Sequence, residues 1–134
     1  MLTPNGYEFR RLCAAAGVEG EGEAALVALC AVLDGPTVLL KGAEDLVAHA
    51  SGRVLRCSVP GTPRRSGGLG DVLAGTLGTL LAWRPEQGLE AAASACELVR
   101  RSCRRAYERR HRAMTAPDAL EELGDVFEEL CPSG

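Results

Sequence analysis

The stretch Arg64-Arg65-Ser66-Gly67-Gly68-Leu69-Gly70-Asp71-Val72-Leu73-Ala74-Gly75-Thr76-Leu77-Gly78 decides how this 134-residue chain is read. Gly67, Gly68 and Gly70 let the backbone approach a ligand with no Cβ in the way. The apolar pattern after them predicts a helix beginning at Asp71, so free N–H groups and the positive end of the helix dipole converge on one spot. Such a spot binds phosphate. Asp is also a good N-cap after a glycine loop. A cap alone, however, needs neither two preceding glycines nor two arginines. A carboxylate inside an anion site is locally unfavourable, which points to Asp71 as a reacting group beside the phosphate. Two familiar phosphate motifs are excluded. No Gly-Lys-Ser/Thr ends the run, as a P-loop requires, and position 73, where a Rossmann fingerprint needs glycine, is Leu73.

Outward from this loop, the chain reads as alternating helices and short strands. Two helix starts compete near the beginning. Thr3 caps with Pro4 at the first helical position, or Asn5 caps with Glu8 closing a capping box. Phe9, Leu12 and Cys13 supply the apolar face. A glycine-rich break at 17–22 precedes a helix over 24–33, with Leu26, Leu29, Cys30 and Leu33 at helical spacing. Asp34-Gly35-Pro36 is a turn, and 37–40 is a short apolar run that suits a buried strand. Residues 45–50 and 53–57 flank Ser51-Gly52 as a β-hairpin. A loop at 58–70 leads to helices over 71–83, 89–107 and 116–130, with Thr115 or Pro117 marking the start of the last. This order predicts an α/β layer arrangement. One central strand plus a hairpin is little sheet for so many helices, and the chain opens on a helix signal with no strand before it. The expectation is the carboxy-terminal part of a larger α/β domain.

Composition narrows the class further. A net charge of -3 and an ordinary apolar fraction describe a globular chain with a real core. The longest apolar run, near 24–33, is about half of what a membrane span needs. Met1-Leu2-Thr3-Pro4-Asn5 resembles neither a signal nor a transit peptide, so an intracellular protein, cytoplasmic or mitochondrial, is expected. The six cysteines form no Cys-x-x-Cys pair, which predicts reduced, mostly buried thiols and no zinc site. His49 and His111 have no partner at metal-binding spacing.

Four segments in order carry a family resemblance. They are Leu2-Thr3-Pro4-Asn5-x-x-Glu8-Phe9, Lys41-Gly42-x-Glu44-Asp45, Pro60-Gly61-x-x-Arg64-Arg65-x-Gly67-Gly68-x-Gly70-Asp71, and Leu73-x-Gly75-x-Leu77-Gly78. From Leu2 into the helix after Ala116, the chain resembles the carboxy-terminal half of the ATP-dependent NAD(P)H-hydrate dehydratases. These are the animal-type branch of the ribokinase-like fold. The resemblance implies a ribokinase-like three-layer α/β/α architecture, with residues 1–134 as the carboxy-terminal part of one domain lacking its amino-terminal strands. It implies repair of a damaged cofactor. The S-form of hydrated NADH or NADPH (NADHX, NADPHX) is phosphorylated on its hydroxyl by ATP, and phosphate is eliminated to restore the dihydronicotinamide. Asn5, Gly6, Tyr7, Glu8, Phe9, Arg10 and Arg11 then line the substrate site. Lys41, Gly42, Ala43, Glu44 and Asp45, with Gly61, Thr62, Pro63, Arg64, Arg65, Ser66, Gly67, Gly68, Leu69 and Gly70, hold ATP. Asp71 meets the substrate hydroxyl as base. Asn5 stands where many relatives carry His, Gly6-Tyr7 departs from the animal-type sequence, and Ser66 replaces a frequent Cys. The resemblance also implies homo-oligomers.

The chemistry of these residue types agrees. Backbone N–H groups over 67–70 form an anion hole for a transferring phosphoryl group. Asp71 accepts the hydroxyl proton. Arg64 and Arg65 offset phosphate charge. Lys41, at a strand end, either meets a nucleotide phosphate or is solvated. Mg²⁺ travels with ATP, with no dedicated protein cage. The competing readings are another ribokinase-like kinase of a vitamin-precursor alcohol, a non-catalytic truncated variant, and a binding module using the arginines at 100–112. Against the last, few aromatic residues accompany the arginines, which read as the solvated face of a helix. Neither a nucleic acid nor a membrane is expected as a partner. The acidic pairs Glu121-Glu122 and Glu128-Glu129 are placed to pair with that basic helix, within or between chains.

Overall fold

Alternation along three short strands sorts the apolar side chains onto two faces, and each face is covered by helices. The computed structural model describes residues 1–132. Its strands are β1 (Val38–Leu40), β2 (Asp45–Ala48) and β3 (Val54–Cys57), an antiparallel sheet in the order β1-β2-β3. Leu39 pairs with Val47, and Val47 with Leu55, so one face carries this row. Val38, Ala48 and Val54 form the matching row on the other. Val38, Ala48 and Leu46 pack with Phe9, Cys13, Leu26, Leu29 and Cys30 of α1 (Gly6–Ala16) and α2 (Gly22–Leu33). Leu39, Val47 and Cys57 pack with α3 (Leu69–Trp83) and α4 (Gly88–Arg110) through Leu73, Leu77, Ala92, Cys96 and Val99. The result is three layers, α/β/α. The hairpin turns at Gly52, whose φ of 80° is the left-handed region that glycine enters freely.

Three expectations about the elements are corrected, and the choice left open between Thr3 and Asn5 as the first cap is settled. The middle strand is β2, buried along its whole length, and not the 37–40 run. The chain does not open on a helix. Leu2 and Asn5 make parallel bridges to Val38 and Lys41, with Leu39 N–H donating to Leu2 O at 2.8 Å. A segment this short shows no period in sequence. Consequently Asn5, and not Thr3, caps α1: its side chain accepts from the Tyr7 and Glu8 N–H groups at 3.0 Å, and its own N–H donates to Glu8 at 2.7 Å. The Pro4 carbonyl instead accepts from Lys41 N–H at 2.9 Å. Finally, the helix expected over 116–130 is two, α5 (Ala116–Glu121) and α6 (Leu123–Leu130). They part at Glu122, a carboxylate only 3 % exposed, which Arg105 and Arg109 of α4 reach at 3.2 and 2.6 Å. Thr115 marks the start of α5, donating through N–H and hydroxyl to Asp118 at 2.8 and 2.6 Å.

The basic helix is laced to carboxylates of its own chain. Arg101 pairs with Glu97, Arg104 with Glu108, Arg105 with Glu129 as well as Glu122, and Arg110 with Asp118. Cys13, Cys30, Cys57, Cys96 and Cys103 are free and buried, and Cys131 is free and exposed. Among the described residues no helix is long and apolar enough to cross a membrane.

Candidate functional site

Three of the four sequence segments meet at the carboxyl end of β1. Leu40 ends the strand, and Lys41 follows it with Asn5 alongside in a parallel bridge. The amino-terminal end of α1 therefore sits beside Lys41. The ammonium of Lys41 reaches the start of α3: a Cβ added to Gly70 would lie 3.9 Å from Lys41 Nζ. A cation, a glycine-led helix start and the capped start of a second helix thus share one strand end. The start of α3 and one ammonium favour an anion there, whereas the first N–H groups of α1 are already taken by Asn5 with the Glu8 carboxylate beside them.

The glycine loop is built around Gly68. Its φ of 89° makes it the left-handed cap of α3, and Asp71 and Val72 N–H groups both donate to its carbonyl at 3.0 Å. The helix consequently begins at Leu69, two residues before the expected start, and Asp71 is its third residue and not its cap. The left-handed turn at Gly68 closes the helix early, which a pattern of apolar spacing does not register. The N–H groups of Leu69 and Gly70 have no acceptor among the described residues, as the first turn of a helix leaves them. Asp71 is exposed, with no side-chain partner among the described residues. Gly68 also touches Ala116 of α5, since an added Cβ would lie 3.0 Å from the Ala116 Cβ. Gly68→Ala should therefore destabilise the protein by about 1–3 kcal/mol, combining left-handed strain with that contact. A lowered urea midpoint at unchanged slope is the expected measurement.

The remaining candidates divide. Arg64 Nε donates to Met114 O at 2.9 Å, so this arginine ties the loop to the chain before α5. Its N–H donates to Thr62 Oγ1 at 3.1 Å. Arg65 is exposed with no partner among the described residues, which leaves it free for a ligand. Glu44 is taken by Arg56 at 2.6 Å, and that hydrogen bond, with one from Ser58, holds its carboxyl below the usual range. On α1, Phe9 faces the core and Glu8 is engaged in the capping box. Tyr7, Arg10 and Arg11 are exposed, Arg11 lying over the Tyr7 ring at 6.0 Å. A groove of about 530 Å³ runs past Leu2, Pro4, Glu8 and Arg11, and one of about 310 Å³ past Gly6, Phe9 and Arg10. Both flank α1, and neither borders the glycine loop.

One residue of the site escapes the sequence reading. Arg100 of α4 donates to Asp45 at 2.6 Å, to Val59 O at 3.1 Å and to Gly42 O at 2.9 Å. Asp45 beside it holds the guanidinium above its ordinary range. Helical spacing carries the signal that finds it. Arg100 lies four residues after Cys96 and three before Cys103, on the buried stripe and not on the solvated face. The neighbouring thiols are quiet. Burial pushes Cys96 up, with Asp45 adding to the shift, and pushes Cys103 up to about 11. Neither is a thiolate near neutrality.

The three-layer α/β/α arrangement of a three-stranded sheet and helices is that of a truncated ribokinase-like fold. The model of the NAD(P)H-hydrate dehydratase family matches residues 1–124, and the chain belongs to that family. Relatives named ATP-dependent (S)-NAD(P)H-hydrate dehydratase include those of Bos taurus (38 % identical), Caenorhabditis elegans (38 %) and Entamoeba histolytica (37 %). Each match takes in 97 % of this chain and 44, 48 and 45 % of the respective relative. The chain thus spans about half the length of the curated relatives it matches.

Proposed function

We propose that this chain carries the phosphate-handling and base-bearing part of an ATP-dependent (S)-NAD(P)H-hydrate dehydratase. The observation that carries the reading is the meeting of Asn5, Lys41 and the Gly68–Asp71 helix start at one strand end. Lys41 and the free N–H groups of Leu69 and Gly70 bind the phosphates of ATP and stabilise the charge of the transferring group. Asp71, exposed at the same helix start, takes the proton of the substrate hydroxyl as that oxygen attacks the γ-phosphorus of ATP and the bond to the departing ADP breaks. Arg65 offsets the charge of the leaving phosphate. The amino-terminal turn of α1 contributes to holding the hydrated nucleotide. Among the described residues no three His, Cys, Asp or Glu side chains gather as a metal site. Magnesium enters this reading as part of the nucleotide substrate.

The test is direct. The purified chain is mixed with hydrated NADH, ATP and magnesium, and near-ultraviolet absorbance is followed. The reading expects absorbance to return only with ATP, with free phosphate released in equal amount. A stable phosphorylated alcohol without absorbance would instead mark a simple kinase. No turnover by a chain folded by circular dichroism would set the catalytic reading aside for this chain.

A further inference from the structure

Arg100 is better placed to organise the candidate site than to serve as a simple ion pair. Its three guanidinium nitrogens each donate to a different segment. Nε meets Asp45 on β2, Nη2 meets the Gly42 carbonyl in the turn after Lys41, and Nη1 meets the Val59 carbonyl at the entry to the glycine loop. Asp45 completes the arrangement, its other oxygen accepting the Gly42 N–H at 3.0 Å. Gly42 is therefore gripped at its carbonyl by Arg100 and at its N–H by Asp45. Glycine is needed there, because a Cβ would fall 2.8 Å from the Glu44 carbonyl oxygen. Holding Gly42 at both ends fixes the backbone from which Lys41 projects. The loop is seated by the same side chain, since a Cβ on Gly61 would lie 3.5 Å from Arg100 Cγ.

We propose that Arg100 is a positioning residue that sets Lys41 and the glycine loop in register with each other, an inference resting on the phosphate-handling reading above. A pair that only joined α4 to β2 would require the Asp45 contact alone. The two carbonyl bonds go instead to the turns carrying Lys41 and Gly61. The guanidinium meets its three acceptors from three separate nitrogens in a fixed plane, a spread that a lysine ammonium, with its donors on one nitrogen, does not reproduce.

Two variants separate positioning from plain stability. Arg100→Lys keeps a charge for Asp45 but loses the fork. Asp45→Leu combined with Arg100→Met removes both buried charges while filling similar volume, and covers the case in which the single variant fails to fold. Amide hydrogen exchange is read over residues 41–45 and 59–68, with α2 on the opposite face as internal reference. Nucleotide binding is read with ATP and magnesium by calorimetry. The expected result is exchange about tenfold faster in those two segments, an unchanged α2, and ATP affinity about tenfold weaker, the scale of one or two lost hydrogen bonds. Exchange that stays at the unmodified rate in both segments overturns the proposal, whatever the melting temperature does. An unmodified chain that binds no ATP overturns the phosphate-handling reading, while the exchange comparison still decides the role of Arg100.

Discussion

Asp71→Asn is expected to reduce ATP-dependent turnover by about 10²–10⁴-fold, the usual contribution of a positioned general base, with the fold unchanged. The substitution keeps shape and removes the acceptor charge. Its structural cost is small for three reasons. Asp71 is exposed, its carboxylate has no partner among the described residues, and its backbone N–H already bonds the Gly68 carbonyl at 3.0 Å. An acidic side chain in a first helical turn contributes only about 0.3–1 kcal/mol through the dipole. A large loss of turnover with a nearly constant urea midpoint therefore isolates chemistry from folding. Nucleotide affinity should hold or improve, because a negative charge leaves the neighbourhood of the phosphates. Steady-state kinetics with ATP varied against fixed hydrate supplies the split between kcat and KM. Full turnover in the variant would reduce Asp71 to a residue that complements the helix dipole.

How much of this could be read from the sequence depended on how local the cause was. The capping box of Asn5 and Glu8, the Ser51-Gly52 hairpin and the apolar spacing of α2 involve residues a few positions apart, and each appears in the structure. The glycine run was legible as the lead-in to a helix for the same reason. Its helix start was displaced because Gly68 uses a conformation that carries no hydrophobic signature. The bridges from Leu2 to β1 and from Asn5 to Lys41 just after it were hidden by their brevity. At Glu122, Arg105 and Arg109 hold one carboxylate inward across 13 to 17 residues of chain; the pairing of the acidic residues with the basic helix was legible, and the break in the helix at that point was not. Arg100 lies between the two cases. Its place on the buried stripe was readable, but its partners Gly42, Asp45 and Val59 come from turns and a strand more than 40 residues away. Counting arginines placed it on the solvated face with its neighbours, whereas spacing places it inside.

Asp45→Ala is the substitution expected to cost most in stability, about 3–5 kcal/mol, the range for removing one partner of a buried ion pair. Asp45 is 6 % exposed, and the Arg100 side chain facing it is 16 % exposed. Without the carboxylate, a guanidinium stays in a space walled by Cys57, which pairs with Asp45 in register, and by the buried stripe of α4. The Gly42 N–H loses its acceptor in the same step. Both effects leave polar groups without partners and add in the same direction. Asp45→Asn keeps an acceptor for Gly42 and should cost less, so the order Ala, then Asn, then unmodified chain is the first check by urea denaturation. The double variant Asp45→Leu with Arg100→Met is the second. Because no charge remains buried, it should recover most of the loss of Asp45→Ala, as replacement of buried pairs by packed apolar groups commonly does. If the pair exists for the site and not for the fold, stability returns in that variant while ATP affinity does not. If both return together, the contacts of Arg100 with Gly42 and Val59 are incidental to the packing of α4 on the sheet.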